Sequence, residues 1–382
     1  MADLQEPNVS YSLEEAVIDN GTGVELEDIV GDERITEPFD PTRIRVDSKQ
    51  MTIDLLLSRI RHGELDLTPG FQRKGGIWND GAQSRLIESI LIRIPLPAFY
   101  LDATDDDKWL VVDGLQRLTS LKRFVVDASL RLSELEFLAH QGKTFDDLPR
   151  NLQRRIAETQ VTVFLIERGT PDKVKFNIFK RINTGGLPLS AQEIRHVLNQ
   201  GKATSFLAQL ASSKEFKKAI DNGIRDDRMA DRECILRFLA FTTTPYTEYK
   251  VRDFDSFLNK GMADINKMSD QKLKDLERQF LRTMIAAFEI FGRDAFRKRY
   301  KEGAPRYPIN KALFESWSVN LNQLDDNQLQ LLKERRNILK EKFINLMGDR
   351  AFDEAISQGT GDTSKVRLRF TDIEQLIRSV LS

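Results

Sequence analysis

The chain predicts an α+β fold, with a small sheet and its helices in the first half and an all-helical second half. Short extended runs alternate with amphipathic helical runs between residues 41 and 200, and strand patterns give way to helical ones after Gly201. One strand, moreover, turns straight into a helix at an Asp-Gly step. An apolar fraction of 40% over 382 residues is enough for two packed domains. The expected organisation is an acidic arm over 1–40, an α+β domain over 41–200 and a helical domain over 201–382.

The arm holds many acids and one basic residue, Arg34, so it is expected to lack a packed core of its own. Thr52 caps a helix carrying Ile53, Leu56, Leu57 and Ile60, and Leu65 to Phe71 reads as a short extended segment. Asp80 is the expected cap of the next helix, with Leu86, Ile87, Ile90 and Leu91 on its apolar face and Pro95 beyond its end. Ala98 to Leu101 and Leu110 to Val112 read as strands. Helices are expected over Arg150 to Glu158 and Asp172 to Ile182, with a strand over Val161 to Ile166 between them. Ser190 and Glu193 form a capping box ahead of Ile194, Val197 and Leu198. Later runs such as Leu276, Phe280, Met284 and Phe288 keep helical spacing, and Val366 to Phe370 is the one late extended candidate.

The step from strand to helix spans Trp109 to Leu121. Gly114 permits a tight turn, and the first N–H groups of the following helix then point past the strand end, a ready anion site. Gln116 and Arg117 lie in that first turn, where a positive side chain disfavours the helix dipole, so a ligand role for Arg117 is reasonable. The plainer reading is an ordinary turn with Asp113 as cap, and for Arg117 an ion pair with a buried carboxylate.

Asp113-Gly-Leu-Gln-Arg117 resembles the D-G-Q-Q-R signature of the domain-of-unknown-function-262 family, the N-terminal domain of GmrSD-type restriction enzymes in the ParB/sulfiredoxin-like superfamily. Leu115 departs from that pattern. Further blocks agree in order: Pro69-Gly-Phe-Gln-Arg73 with Trp78 and Gln83, Leu86-Ile-Glu-Ser-Ile-Leu91, and Ile94-Pro-Leu-Pro-Ala-Phe-Tyr100. Phe179-Lys-Arg-Ile-Asn-Thr-Gly-Gly186 and Leu189-Ser-Ala-Gln-Glu-Ile-Arg195 resemble the closing block.

The resemblance implies a ParB/sulfiredoxin-like fold and a nucleotide site built on Asp113, Gly114, Gln116 and Arg117. Asp113 is the candidate Mg²⁺ holder or water positioner, Gln116 a further catalytic candidate, Gln72 the candidate for orienting attacking water, Arg73 for neutralising developing charge, and Arg117 a phosphate fork. Arg73, Trp78, Arg181, Asn183 and Arg195 are further candidate nucleotide contacts. Each has a plainer reading: loop polarity for Gln72 and Arg73, core for Trp78, a helix C-terminus for Asn183. Gln83 lies on the polar side of its helix and is equally readable as solvated.

What the resemblance implies for function is an NTP hydrolase in DNA-modification sensing or anti-phage defence, gating a separate nuclease or defence partner. The alternative is a non-enzymatic nucleotide or DNA sensor with the same fold. No P-loop run is present, and residues 201–382 contain no histidine, which argues against a His-based nuclease there. His62, His140, His196 and the single cysteine, Cys234, show no metal-ligand spacing; Cys234 fits a small core residue. A net charge of −1 gives no long-range pull on DNA, so contact needs a local patch. Arg297, Lys298 and Arg299, beside Phe296 and Tyr300, are the candidate, with a solvated face as the plain alternative. No signal sequence begins the chain and no run reaches spanning length, so a cytoplasmic location without membrane contact is expected.

Overall fold

The computed structural model describes residues 22–25, 27, 45–67, 78–182, 189–225, 228–250 and 253–382. It divides into two compact units, one over residues 45–200, the other over 201–382 together with 22–25 and 27. The architecture is α+β: a mixed five-stranded sheet with helices, then a helical region.

In the first unit the sheet runs in the order β1 (Val46–Thr52), β5 (Gln160–Glu167), β3 (Phe99–Ala103), β4 (Trp109–Asp113), β2 (Leu65–Asp66). β1/β5 and β3/β4 are antiparallel; β3/β5 and β2/β4 are parallel. Side chains alternate across the central strands, and both faces are buried. Phe99, Leu101, Val111, Val163 and Leu165 pack against helices α1 (Ile53–Arg61), α2 (Asp80–Leu91), α3 (Leu115–Leu121) and α4 (Arg150–Glu158). Tyr100, Val112 and Ile166 face the layer of α5 (Asp172–Ile182) and α6 (Ala191–Leu198), which contributes Phe176, Phe179 and Ile194.

Local chemistry explains most element ends. The Thr52 hydroxyl caps α1, and Ser190 and Glu193 form the expected capping box on α6. The cap of α2 is Asn79 rather than Asp80: the Asn79 side chain accepts from the Ala82 N–H at 2.8 Å, and Asp80 sits in the first turn, bonded to Arg123. β1 has no counterpart in the sequence reading, because only Met51 of its seven residues is buried and the alternation that marks a strand is absent. A single buried carboxylate, Glu88 on α2, accepts the backbone N–H groups of Glu136, Phe137 and Leu138. Burial would raise its pKa, but these three donors hold it below the usual carboxylate value.

The helical unit contains α7 (Lys202–Ser212), α8 (Lys214–Ala219), α9 (Ala230–Thr243), α10 (Phe254–Lys267), α11 (Asp270–Phe291), α12 (Lys311–Asn322), α13 (Asp326–Glu334), α14 (Arg336–Met347), α15 (Arg350–Ser357) and α16 (Thr363–Leu381). Val366 to Phe370, the late strand candidate, is helical. Val366, Phe370, Ile373 and Ile377 recur at helical spacing and are all buried, which overrides the local alternation with arginines. Cys234 is a buried core residue of α9, and burial pushes its thiol far above the ordinary value. No described helix is long and apolar enough to cross a membrane.

The centre of this unit is ionic. Glu315 and Arg369, both fully buried, are bonded to one another, and Arg237 bonds Glu233 at 2.8 Å and Glu315 at 3.4 Å. Residues 22–25 and 27, from the acidic arm, complete it by packing on the helical unit. Val24 is buried and bridges Ile309, Glu25 pairs with Lys298 at 2.6 Å, and Glu27 takes both terminal nitrogens of Arg237 at 2.8 and 2.5 Å. Thr360 also donates to Glu27 at 2.6 Å. Acidic residues in the arm thus add to the counter-charge that Glu233 and Glu315 already supply.

Burial would raise the Glu27 carboxyl, but Arg237 and Lys311 bring it from 4.5 down to about 2. Because the folded value is the lower one, the stabilisation is complete above about pH 4.5 and is lost as pH falls toward 2. Glu27→Gln should therefore destabilise the helical unit at pH 7 by roughly 3 kcal/mol and make little difference near pH 2. Thermal melts of both proteins across this range check it. Equal midpoints at pH 7 would contradict the role given to Glu27.

Candidate functional site

β4 ends at Asp113, the chain turns at Gly114, and α3 begins at Leu115. Gly114 occupies the cap position with φ of 98°, a left-handed conformation. A Cβ there would also lie 2.4 Å from the Phe99 ring, so two independent constraints require glycine. The first helical bond runs from the Leu118 N–H to the Gly114 carbonyl. The amides of Leu115, Gln116 and Arg117 have no hydrogen-bond partner among the described residues. These donors open the helix, which continues without a break into a π turn over Lys122–Val126.

Asp113 does not cap α3; it pairs with Arg117, Oδ2 to Nη2, at 2.9 Å. Arg117 also donates to the carbonyls of Pro97 and Ala98 and lies 4.5 Å from the Phe99 ring centre. The ion pair with a carboxylate is the arrangement this structure adopts. Burial pulls the Arg117 pKa below its ordinary value while Asp113 pushes it back up. The Arg117 side chain is 10% exposed with its donors turned inward, whereas the Asp113 side chain keeps 24% of its surface in solvent.

Gln116 is tied as well, its Oε1 accepting the Trp78 N–H at 3.2 Å. Gln83 donates to the Trp78 carbonyl at 2.5 Å and accepts from Arg123 at 2.8 Å. Gln83 is therefore buried, not solvated, because it bridges a backbone carbonyl and a guanidinium. The two glutamines hold Trp78 by both backbone groups. Arg123 was not legible as part of this brace, since it lies 40 residues from Gln83 and neither carries a motif linking them.

The remaining candidates scatter. Gln72, Arg73 and Asn183 lie outside the described residues. Arg181 is exposed in the last turn of α5. Arg195 is 1% exposed, bonds Gln192 at 2.9 Å, and sits in the α5–α6 layer, across the sheet from α3. The basic patch is not a patch: Arg297 and Lys298 are each 4% exposed. Arg297 donates to the carbonyls of Tyr307 and Ile220, Lys298 pairs with Glu25, and Arg299 pairs with Asp294 at 2.5 Å. This segment is a packed turn bridged to Ile309 rather than a helix face, so nearness in sequence did not become a shared surface. Burial, with Arg306 nearby, pulls Arg297 down to about 10. Among the described residues no group of three or more His, Cys, Asp or Glu side chains could hold a metal ion.

Gln116→Ala should leave the Trp78 N–H without its acceptor, at a cost of about 1 kcal/mol. Hydrogen–deuterium exchange at Trp78 should then accelerate while the β3 and β4 amides keep their protection. Unchanged exchange at Trp78 would show that Gln116 does not brace it.

No curated protein matches the chain. Residues 53–198 match the family model described as the GmrSD restriction endonuclease, N-terminal domain. That span runs from the first residue of α1 to the last of α6, and it takes in the Asp113–Arg117 turn and the Gln83–Trp78 brace. Residues 53–198 of this chain are thus similar to the N-terminal domain of the GmrSD restriction endonuclease.

Proposed function

We propose that the first unit binds a nucleoside triphosphate at the β4–α3 turn and hydrolyses it, in a restriction or anti-phage defence system where a separate nuclease or defence partner cuts. The observation that supports this reading is the set of first-turn amides at Leu115, Gln116 and Arg117 that have no partner among the described residues, opened by the obligatory Gly114. Amides of this kind, at the positive end of a helix, match phosphate oxygens.

Arg117 then acts as a positioning residue, since its fork is taken by Asp113, Pro97 and Ala98. It orients the Asp113 carboxylate instead of gripping phosphate. Arg73, a few residues before the braced Trp78, becomes the leading candidate for the phosphate cation, with Gln72 beside it for water. Asp113 has one oxygen outside the ion pair, which suits a Mg²⁺ held mainly by phosphate oxygens and water with a single carboxylate. Such an ion would neutralise charge developing on the transferred phosphoryl group.

One observation favours a binding-only sensor. The acceptor oxygen of Gln116 is spent on the Trp78 N–H, so Gln116 is not poised to take a proton from water.

Calorimetric titration and phosphate release on the whole chain, with each common NTP, Mg²⁺, and with or without DNA, separate the readings. The hydrolase reading expects Asp113→Asn, once shown to be folded, to keep nucleotide affinity and lose turnover by about 100-fold or more. Binding without turnover in the unaltered protein selects the sensor. Absence of nucleotide binding by the folded protein overturns both.

The same preparation should leave plasmid DNA intact with Mg²⁺ and NTP present, because residues 201–382 contain no histidine to act as a general base. Nicking that disappears with Asp113→Ala would instead place a nuclease in this chain.

A further inference from the structure

β1 is the last strand of the sheet, and Val46 to Gln50 are exposed on both of its faces. Its pairing with β5 is unbroken from Val46↔Ile166 to Thr52↔Gln160. At one end the Glu167 N–H donates to the Arg45 carbonyl, and at the other the Ile53 N–H donates to the Thr159 carbonyl. In an antiparallel strand both backbone groups of a residue point the same way, and successive residues alternate. The odd-numbered positions therefore face β5, and Val46, Ser48 and Gln50 turn their N–H and C=O groups outward.

Nothing among the described residues blunts this edge. β1 has no proline and no register break, the usual devices against strand addition. Lys49, the residue type that commonly guards an edge, is neutralised by Asp47 on the same face at 3.4 Å.

We propose that β1 is a self-association surface: two copies of the chain join β1 to β1, antiparallel, about a two-fold axis at Ser48. In that register Ser48 meets its own counterpart and Val46 meets Gln50, so every outward-turned residue exchanges backbone hydrogen bonds. Asp47 then falls opposite the Lys49 of the other copy, in the closer, non-hydrogen-bonded pair, and the symmetry repeats the contact. A slip of two residues either way opposes Asp47 to Asp47 or Lys49 to Lys49, which is unfavourable. A slip of one residue sets outward groups against inward ones. This self-complementary charge pattern is what selects a second copy over an unrelated strand. It depends on the first unit alone and is independent of any nucleotide.

Sedimentation of the whole chain across the micromolar range tests the proposal, with a concentration-dependent dimer expected. Ser48→Pro removes an N–H that bonds nothing on β5, so the monomer should keep its far-UV spectrum while the dimer is lost. Asp47→Lys opposes like charges across the axis and should weaken association by roughly tenfold. The exchanged pair D47K/K49D should restore it, a recovery that a fold defect would not show. A monomer at every concentration overturns the proposal, as does a dimer indifferent to Asp47→Lys.

Discussion

Arg117 is the group on which the first unit depends. Its guanidinium is inserted where β3 begins and β4 ends, bonding the carbonyls of Pro97 and Ala98 on one side and Asp113 on the other. A buried charge is costly unless each donor finds an acceptor, and here the acceptors come from the lead-in to β3 and from the end of β4, which are thereby tied together. The Phe99 ring closes over the guanidinium from one side and against Gly114 from the other. The turn must be glycine, the helix must start at Leu115, and its amides must open beside the strand end. The same residues that look like a ligand-binding motif in one dimension form a structural clasp in three.

Around this clasp the polar side chains work as braces more than as free reagents. Gln116 and Gln83 hold the two backbone groups of Trp78, Arg123 holds Gln83 and Asp80, and Glu88 gathers three consecutive amides of a distant loop. What is left open among the described residues is backbone: the first-turn amides of α3. An anion that binds there meets fixed donors, which is why the proposed site places recognition in main-chain geometry and leaves the side chains to set its shape.

Much of this was legible in the sequence because it rests on local rules. The caps at Thr52 and Ser190 and helices such as α4 and α5 follow from spacing and capping chemistry. The α+β division follows from where strand patterns stop. What was not legible depends on partners far along the chain. β1 is a strand because β5 offers it an edge, not because its own residues alternate. Val366 to Phe370 alternates locally yet is helical, because burial at every third or fourth position decides. Arg297 and Lys298 read as a surface patch only while Glu25 and the Tyr307 carbonyl are out of view. The Asp113–Arg117 turn was found as a motif, and its internal ion pair was weighed, but sequence could not say which carboxylate would take the guanidinium.

The partners of residues 22–25 and 27 bear on how the chain is made. Arg225 donates to the Thr22 carbonyl, Ile309 bonds both Gly23 and Glu25, and Thr360 reaches Glu27 across 333 residues. These segments leave the ribosome before the first unit, and their acceptors and counter-ions leave after it. The first unit, continuous over 45–200, is available to fold while the early acids still await Arg237 and Lys298. Closure of the helical unit therefore waits for residues far along the chain and closes a very long loop, so its rate is set by chain search as much as by contact strength.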